Sequence, residues 1–356
     1  MDVLFVVLGD ETRASTRYRV LNLLPALDDT DIDYDYLSVA ELADRLPGPN
    51  LLAYGLVPLL MLARAHRYDA IFLQKVPLPG PYFRLLKRRC DTIIYDFDDA
   101  IYATPPWSNS PDPWKPLLEQ TLTYSTVVIT GSPVLSEYAK QFCERTECLP
   151  TSLPRDEYVQ ARQHRENVSR DGVTLGWIGN PQNLHYLASI TEPIGAVLDR
   201  YPGVTLHIIT AGDLPVTPLA NREDVIYKQW SLESELDLLG EADIGIRPLF
   251  DDEWTRGKGG YTSVVQTMAL GIPVVVTPVA MLSDIVEEGF CGYHADSDDD
   301  WIGSLTTLIE SDTKREQMGI EAYERVDELN FWLDQRSEEF VRTLKSIVAC
   351  NSNSIQ

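Results

Sequence analysis

Short apolar runs bounded by turn residues alternate with helical patterns along the whole chain. In the first half, the apolar runs predict strands at Val3–Leu8, Tyr34–Val39, Ala70–Leu73, Thr92–Asp96 and Val127–Thr130. Helical spacing between these runs predicts helices at Tyr18–Leu27, Leu51–Arg64, Tyr82–Arg89 and Val134–Arg145. This alternation is typical of a parallel sheet that is built from βαβ units.

A second series of the same kind begins at Gly172, after the polar stretch Arg155–Asp171, which is predicted to be a linker. Its strands are predicted at Thr174–Ile178, Thr205–Thr210, Val225–Tyr227, Ile244–Pro248 and Val274–Thr277. Its helices are predicted at Leu184–Arg200, Ser231–Leu239, Ser263–Leu270 and Ala280–Glu288, and within Trp301–Ala349. We therefore predict an α/β protein of two doubly wound Rossmann-like domains, residues 1–155 and 156–330. Residues 331–356 are predicted to form a C-terminal helix that is able to cross back to the first domain. Ligands of such sheets bind at the carboxyl ends of the strands, which makes a cleft between the domains the predicted site.

The charge balance excludes one class of partner. The 356 residues contain 30 Lys and Arg against 54 Asp and Glu, a formal net charge of −24. Nucleic acid is not an expected partner, because binding to phosphates needs clustered basic residues. The acidic surface combines 31 Asp and 23 Glu with only 8 Lys. This composition favours a protein from a halophile, with an ordinary acidic cytosolic protein as the alternative.

Cysteine usage and the apolar segments bear on the location of the protein. The five cysteines form no C-x-x-C or Cys/His cluster, so neither a zinc site nor a disulfide framework is expected. The first apolar run begins at Val3 without a preceding basic segment, unlike a signal peptide. The longest apolar stretch, Leu51–Ala63, contains Pro58 and is too short to span a bilayer. We predict a cytoplasmic protein and leave open a peripheral contact with the inner membrane surface.

A glycine-rich basic loop opens the most informative segment, which extends from Thr255 to Thr277. The loop contains two cations and three glycines, namely Arg256, Gly257, Lys258, Gly259 and Gly260. Glycines let backbone amides approach an anion, and the start of the following helix adds a partial positive charge. The loop is therefore predicted to hold a diphosphate, with a flexible surface turn before a core helix as the alternative.

The stretch from Lys258 to Asp284 resembles the C-terminal signature of the family 4 glycosyltransferases of the GT-B fold. That signature has E-x7-E running into A-x-G-x-P-V-V, followed by a further acidic residue. Lys258 and Gln266 stand at the two glutamate positions, Ala269–Val275 matches the middle, and Asp284 matches the last acid. The resemblance implies that position 258 faces the transferred sugar and that Gln266 binds the nucleotide ribose through its amide.

Other segments extend the resemblance over most of the chain. Gly172–Pro181 is similar to the G-W-I-G-x-P segment that opens the second domain of one subgroup. The resemblance implies that Gly176, Gly179 and Asn180 lie against the nucleotide. Ala242–Leu249 resembles the strand that precedes the signature.

Candidate residues of the first domain follow its strands. Arg17 and Arg19 lie after the first strand in a segment that resembles an S-x-R-Y-R segment of several family members. Arginine binds phosphate and carboxylate bidentately, whereas a solvated helix start paired with nearby acids is the alternative. Lys75 also follows a strand and is able to reach the cleft, with a solvated lysine as the alternative.

Asp98 and Asp99 end another strand of the first domain. Period-two alternation points Asp96 and Asp98 to one face, and Asp99 begins the exit turn. Clustered carboxylates at a strand end bind Mg²⁺ or act as general bases. We favour acceptor binding or base catalysis by Asp98 and Asp99 over metal binding. An N-cap role for Asp99 is the alternative.

The resemblance implies a retaining glycosyltransferase of the hexosyltransferase type. A nucleotide sugar is expected on the second domain and a glycan or lipid-linked acceptor on the first, with Asp98, Asp99 and Lys258 in catalysis. No metal or other cofactor is expected. Two alternatives stay open: a noncatalytic nucleotide-sugar-binding protein, because both signature glutamates are replaced, and a sugar-nucleotide epimerase.

Overall fold

The computed structural model describes most of the chain. It covers residues 1–45, 51–106, 108, 114–168, 171–212, 219, 221–258 and 261–352, without the side chains of 51–54 and 350–352. Its strands are β1 (Asp2–Val7), β2 (Asp33–Ser38), β3 (Ala70–Gln74), β4 (Thr92–Phe97), β5 (Val127–Thr130), β6 (Thr146–Cys148), β7 (Val173–Ile178), β8 (Val204–Thr210), β9 (Val225–Gln229), β10 (Ile244–Arg247), β11 (Val274–Val276) and β12 (Gly292–His294).

The helices alternate with these strands. They are α1 (Ala14–Thr16), α2 (Val39–Arg45), α3 (Leu51–Arg64), α4 (Gly80–Lys87), α5 (Lys115–Tyr124), α6 (Pro133–Ala139), α7 (Arg155–Glu166), α8 (Leu184–Ala188), α9 (Thr191–Arg200), α10 (Glu235–Gly240), α11 (Glu253–Arg256), α12 (Thr262–Ala269), α13 (Leu282–Ile285), α14 (Asp298–Ile309), α15 (Asp312–Glu328) and α16 (Leu333–Ser352). A π-helical turn spans Arg17–Leu21, and single 3-10 turns cover Leu24–Leu27, Ala65–Arg67 and Pro181–Asn183.

The chain divides into two compact units, each with its own parallel sheet. Of the described residues, the first unit comprises 1–152, 257–258 and 333–352, and the second comprises Leu153–Arg256 and Tyr261–Trp332. The first sheet has the order β2-β1-β3-β4-β5-β6, and the second has the order β12-β11-β10-β7-β8-β9. Because β7 is the first strand of its unit, the second order is the Rossmann order 3-2-1-4-5-6. The predicted fold class, two doubly wound α/β units, is confirmed.

Each sheet is buried under helices, as expected for parallel strands. In the first unit, Phe340 of α16 packs against Phe5 and Phe72, with ring centroids 6.3 and 5.9 Å apart. The final helix thus completes the core of the first sheet. In the second unit, fully or almost fully buried side chains such as Trp177 and Trp301 fill the core between β7, β8 and the helices.

Some local predictions were wrong. The predicted linker Arg155–Asp171 contains the 12-residue helix α7, which has Asp156 and Glu157 in its first turn but buries only Tyr158. With one buried residue, α7 shows almost no apolar periodicity in the sequence. The predicted helix at Tyr18–Leu27 is instead a π turn followed by a 3-10 turn. Among the described residues, no helix combines the length and the apolar character that crossing a membrane requires.

Candidate functional site

The carboxyl ends of β1, β3 and β4 carry the candidate residues of the first unit. Strand β1 lies between β2 and β3, so this edge of the sheet includes a topological switch point, where ligands bind in open α/β sheets. The segments that follow these three strands contain the five site residues that the sequence predicts for the first domain. They are Arg17, Arg19, Lys75, Asp98 and Asp99.

Arg19 and Asp96 form a buried ion pair at this edge. Arg19 Nε donates to Asp96 Oδ2 at 2.8 Å, its Nη2 contacts Oδ1, and its Nη1 donates to the Leu149 carbonyl at 2.8 Å. Arg19 is 4% exposed and Asp96 is 1% exposed. Burial by itself lowers the pKa of Arg19, but the carboxylate of Asp96 outweighs it and raises that pKa above its ordinary value. These contacts favour a structural role for Arg19 over the predicted contact with an acceptor.

Arg17 begins the π turn and is also mostly buried. The backbone amide of Asn22 donates to the Arg17 carbonyl at 2.9 Å, which is the i to i+5 bond of a π turn. Arg17 Nη1 donates to the Glu11 carbonyl at 3.1 Å, and the guanidinium lies 4.6 Å from the centre of the Tyr18 ring. Single π turns are frequent at functional sites, so Arg17 stays a predicted acceptor-side cation.

Lys75 joins the two predicted catalytic carboxylates. Its backbone adopts the left-handed conformation, with φ of 54°, directly after β3. Lys75 Nζ lies 2.6 Å from Asp98 Oδ1 and also contacts Asp99 Oδ2. Ser15 Oγ donates to Asp98 Oδ1 at 2.9 Å. Lys75 is therefore mostly buried and ion-paired, and the alternative of a solvated lysine is wrong.

This network keeps Asp99 ionised while leaving part of it accessible. Burial raises the pKa of Asp99, but the nearby charges of Lys75 and Lys258 outweigh it, so the pKa lies below its ordinary value. Burial likewise opposes the charge of Lys75, and Asp98 and Asp99 raise the pKa of Lys75 above its usual range. The side chain of Asp99 is 34% exposed. Asp99 is thus a charged hydrogen-bond acceptor that a ligand hydroxyl can reach.

Two residues of the glycine-rich loop belong to the first unit. Gly257 is packed so closely that a Cβ atom there would lie 2.5 Å from Ala100 Cβ and 3.1 Å from Tyr102 Oη. Lys258 is half-buried, and its charge lowers the pKa of Asp99. The positive charge of Lys258 thus acts on Asp99, and the catalytic roles of both residues stay predictions. The predicted site residues Gly259 and Gly260 lie outside the described residues.

Two glycines of the second unit lie along β7 and its end. A Cβ at Gly176 would approach Ala242 Cβ to 2.4 Å, so this glycine is needed for strand packing. A Cβ at Gly179 would lie 2.8 Å from the Trp177 ring and 3.4 Å from Arg247 Nη1. Asn180 follows at the exposed end of the strand. The tightest neighbours of both glycines are thus protein atoms, and their predicted contact with a nucleotide stays a prediction.

Gln266 contacts a carboxylate that sequence reasoning missed. Gln266 Nε2 donates to Glu235 Oε1 at 2.7 Å, and Trp230 Nε1 donates to Glu235 Oε2 at 2.8 Å. Both Gln266 and Glu235 are buried. Glu235 of α10 therefore lies beside position 266, where the family signature has its second glutamate. An amide fits there because it donates a hydrogen bond to the Glu235 carboxylate, which a second carboxylate cannot do.

Replacing Gln266 with the glutamate of the signature tests this explanation. We expect Gln266→Glu to lower the free energy of unfolding at pH 7 by about 1–3 kcal/mol, because two buried carboxylates then face each other without the amide donor. The repulsion raises the pKa of the pair, so the loss shrinks as the pH falls and one carboxyl takes up a proton. Urea denaturation at pH 7 and pH 5 measures both effects.

The exchanged variant Glu235→Gln/Gln266→Glu is the matched control, since it keeps one carboxylate and one amide. It should recover most of the stability. A Gln266→Glu variant as stable as the original protein at pH 7 would contradict the assignment of the Gln266–Glu235 contact.

Two arginines and one aspartate of the second unit differ in how far their side chains are buried. Arg256 is an exposed side chain that pairs with Asp251, from Nε to Oδ1 at 2.5 Å. The side chain of Asp284 is also exposed, and its backbone carbonyl accepts a hydrogen bond from Arg325 at 2.8 Å. In contrast, Arg247 at the end of β10 is buried, and sequence reasoning did not select it. The available signal was an arginine in an otherwise apolar strand.

The fold thus assembles one candidate group in each unit. In the first unit Lys75 pairs with Asp98 and Asp99, and the charge of Lys258 acts on Asp99. In the second unit Gly179 and Arg247 are neighbours, while Gln266 lies with Glu235. No group of three His, Cys, Asp or Glu side chains in the described ranges is arranged to hold a metal ion.

Part of the chain is similar to a known family. Residues 172–311 match the family described as Glycosyl transferases group 1. Apart from residues 257 and 258, the described residues of the matched segment lie in the second unit, and they include β7 to β12. No curated protein matches the sequence significantly.

Solved structures resemble the whole fold. HepE from Anabaena, in complex with UDP and glucose, has a TM-score of 0.68 and 14% identity, covering 97% of this chain and 100% of its own. Sucrose-phosphate synthase from Thermosynechococcus elongatus has a TM-score of 0.73 and 11% identity, covering 98% and 100%. A glycosyltransferase from Rickettsia africae has a TM-score of 0.69 and 12% identity, covering 98% of each chain. The protein therefore has the α/β fold of two Rossmann-like domains that is called GT-B, and its residues 172–311 are similar to the Glycosyl transferases group 1 domain.

Proposed function

We propose that the protein is a retaining glycosyltransferase that moves a hexosyl group from a nucleotide sugar to a hydroxyl of a glycan or lipid-linked acceptor. The match of residues 172–311 to Glycosyl transferases group 1 carries the proposal, because it coincides with the Rossmann sheet of the second unit. The donor is assigned to that unit. HepE, a structural neighbour, has been solved with UDP-glucose, which makes uridine nucleotides the first donors to test.

The first unit supports an acceptor role for its polar network. Asp99 is ionised and partly exposed, and Lys75 orients it together with Asp98. A carboxylate in this state accepts a hydrogen bond, and then a proton, from an acceptor hydroxyl. Lys258 adds a positive charge next to Asp99.

The chemistry that these residues supply is electrostatic. In the transfer, the bond between the sugar C1 and the diphosphate oxygen breaks, and a bond from C1 to the acceptor oxygen forms. The leaving diphosphate gains negative charge, which fixed cations stabilise in the proposed mechanism. The acceptor proton passes to a carboxylate or to the leaving phosphate oxygen. Protein cations thus take the part that a metal ion plays elsewhere, and the reaction is proposed to proceed in EDTA.

Nucleotide binding is the first experiment. We expect UDP or UDP-glucose to raise the Tm of the folded protein, since a ligand that binds only the native state stabilises it by about 2.7 kcal/mol at 100 times its Kd. GDP, ADP and their glucose derivatives complete the panel. Each is measured at low and high KCl, because the acidic surface is expected to need screening. A folded protein that responds to no nucleotide at either salt concentration would contradict the proposal.

Sugar transfer is then measured as release of nucleoside diphosphate in the presence of simple glycosides, in EDTA. NMR of the product anomeric proton distinguishes retention from inversion. A protein that binds a nucleotide sugar and releases no nucleotide with any acceptor is instead the noncatalytic binding protein, the function that the replacement of both signature glutamates favours.

A further inference from the structure

The second unit contains a buried arginine for which the described residues supply no acidic partner. Arg247 ends β10 and is 8% exposed. Its Nη1 donates to the Ile178 carbonyl at 3.1 Å, and its Nε is buried with no hydrogen-bond partner. Within the part of the chain that the structure describes, no carboxylate lies in ion-pair distance of this guanidinium. Burial lowers the pKa of Arg247 to about 10, which leaves it protonated at neutral pH.

Two other buried or half-buried arginines of the chain are each paired with a carboxylate, whereas the described residues supply none to Arg247. Arg19 is paired with Asp96, and Arg165 is paired with Asp243. A buried charge without a partner costs several kcal/mol in general, because the water that it loses is not replaced. Such a residue is retained at a cost to stability, which is typical of functional sites.

The surroundings of Arg247 are suited to an anion. It lines a small, open pocket together with Gly176, Ile178 and Ser263. A Cβ at Gly179 would meet the Trp177 ring at 2.8 Å and contact Nη1 at 3.4 Å, so the glycine lets the backbone lie close to the guanidinium. Ser263 is in the first turn of the eight-residue helix α12, whose N-terminal amides carry partial positive charge.

We propose that Arg247 binds the phosphate groups of the nucleotide-sugar donor at the carboxyl ends of β7 and β10. This inference rests on the proposed function and assigns to the diphosphate a residue outside the glycine-rich loop. Arg256, which the sequence suggested for this task, is exposed and paired with Asp251. Arg247 is instead desolvated and positioned in advance, so an anion gains the full benefit of its charge.

Arg247→Met is the test variant. Arg200→Met is the matched control, because Arg200 is an exposed arginine of the same unit that pairs with Glu310. Isothermal titration uses UDP, uridine and inorganic pyrophosphate as probes. Arg247→Met should weaken UDP binding about 10- to 100-fold and abolish pyrophosphate binding, with uridine binding unchanged. Arg200→Met should change none of the three affinities by more than about threefold. Without ligand, Arg247→Met should melt at or above the Tm of the original protein, which a purely structural arginine would not allow.

The outcomes separate this inference from the proposed function. If the original protein binds UDP and Arg247→Met binds it equally well, the role of Arg247 is overturned and the nucleotide site stands elsewhere. If no nucleotide binds but pyrophosphate binds through Arg247, the glycosyltransferase proposal is overturned and the anion site is upheld. If neither nucleotides nor pyrophosphate bind the folded original protein, both are overturned. Should Arg247→Met fold poorly, Arg247→Lys keeps the charge without the fork and should show an intermediate loss of UDP affinity.

Discussion

Arg19→Met is expected to lower the free energy of unfolding by about 3–5 kcal/mol, because it leaves Asp96 as a buried carboxylate without its cation. The wild-type pair has three contacts between the guanidinium and Asp96 and a further bond to the Leu149 carbonyl. All of these partners are buried, so water cannot replace the lost donors. Urea denaturation at pH 7, followed by circular dichroism, measures the loss.

The pH dependence of this variant follows from Asp96. Burial raises the pKa of Asp96, and Arg19 opposes that rise in the original protein. Without Arg19, the carboxyl has a raised pKa in the folded state and an ordinary one in the unfolded state. The folded variant therefore binds a proton more readily than the unfolded chain. Its loss in free energy of unfolding becomes smaller as the pH falls through the raised pKa.

A double variant provides the control. Arg19→Met/Asp96→Leu removes both charges and should recover most of the lost stability, as replacements of buried ion pairs by apolar residues do. Glu137→Gln removes an exposed carboxylate of the same unit, which pairs with Lys140, and should change stability by less than about 1 kcal/mol. A single Arg19→Met variant that is as stable as the double variant would refute the importance of the pair.

Asp99→Asn is expected to reduce kcat for sugar transfer by about 10²-fold or more, since the amide no longer accepts the proton of the acceptor hydroxyl. Nucleotide affinity should stay unchanged, because Asp99 belongs to the first unit and the donor is assigned to the second. Steady-state kinetics with the donor identified by the binding panel, together with titration of UDP, separates the two effects. Glu137→Gln is again the matched control and should keep full activity.

The state of Asp99 also predicts the acidic limb of the rate profile. Lys75 and Lys258 lower the pKa of Asp99, so the side chain keeps its negative charge as the pH falls to the ordinary pKa of aspartate. Asp99 takes up a proton, and the activity falls, only below that pH. Asp98 and Arg19 are the other charged groups of this network. Lys75→Met removes the closest cation and should move the acidic limb to higher pH. An unchanged limb in Lys75→Met, or full activity in Asp99→Asn, would exclude Asp99 as the group that accepts the proton.

Much of the secondary structure could be predicted because its signals are local. Strands such as Val3–Val7 are continuous apolar runs, buried on both faces, and their alternation with helices implied two parallel sheets. Elements without a local signal were missed. Strands β6 and β12 have three residues each, too few to show a period, and α7 is polar on almost every side.

The sequence by itself determined the fold class and the candidate segments, because βαβ periodicity, glycine-rich turns and strand-end acids are properties of neighbouring residues. Only the tertiary structure decided which charges meet. Arg19 and Asp96 are 77 positions apart, and Lys75 is 24 positions from Asp99. Both pairings depend on the order of strands in the sheet. The same strand order buries Arg247 beside Ile178, which is 69 positions away, and brings no carboxylate of the described residues into ion-pair distance of it. Burial and pairing together set the cost of a charge, and both depend on residues that are distant in the chain.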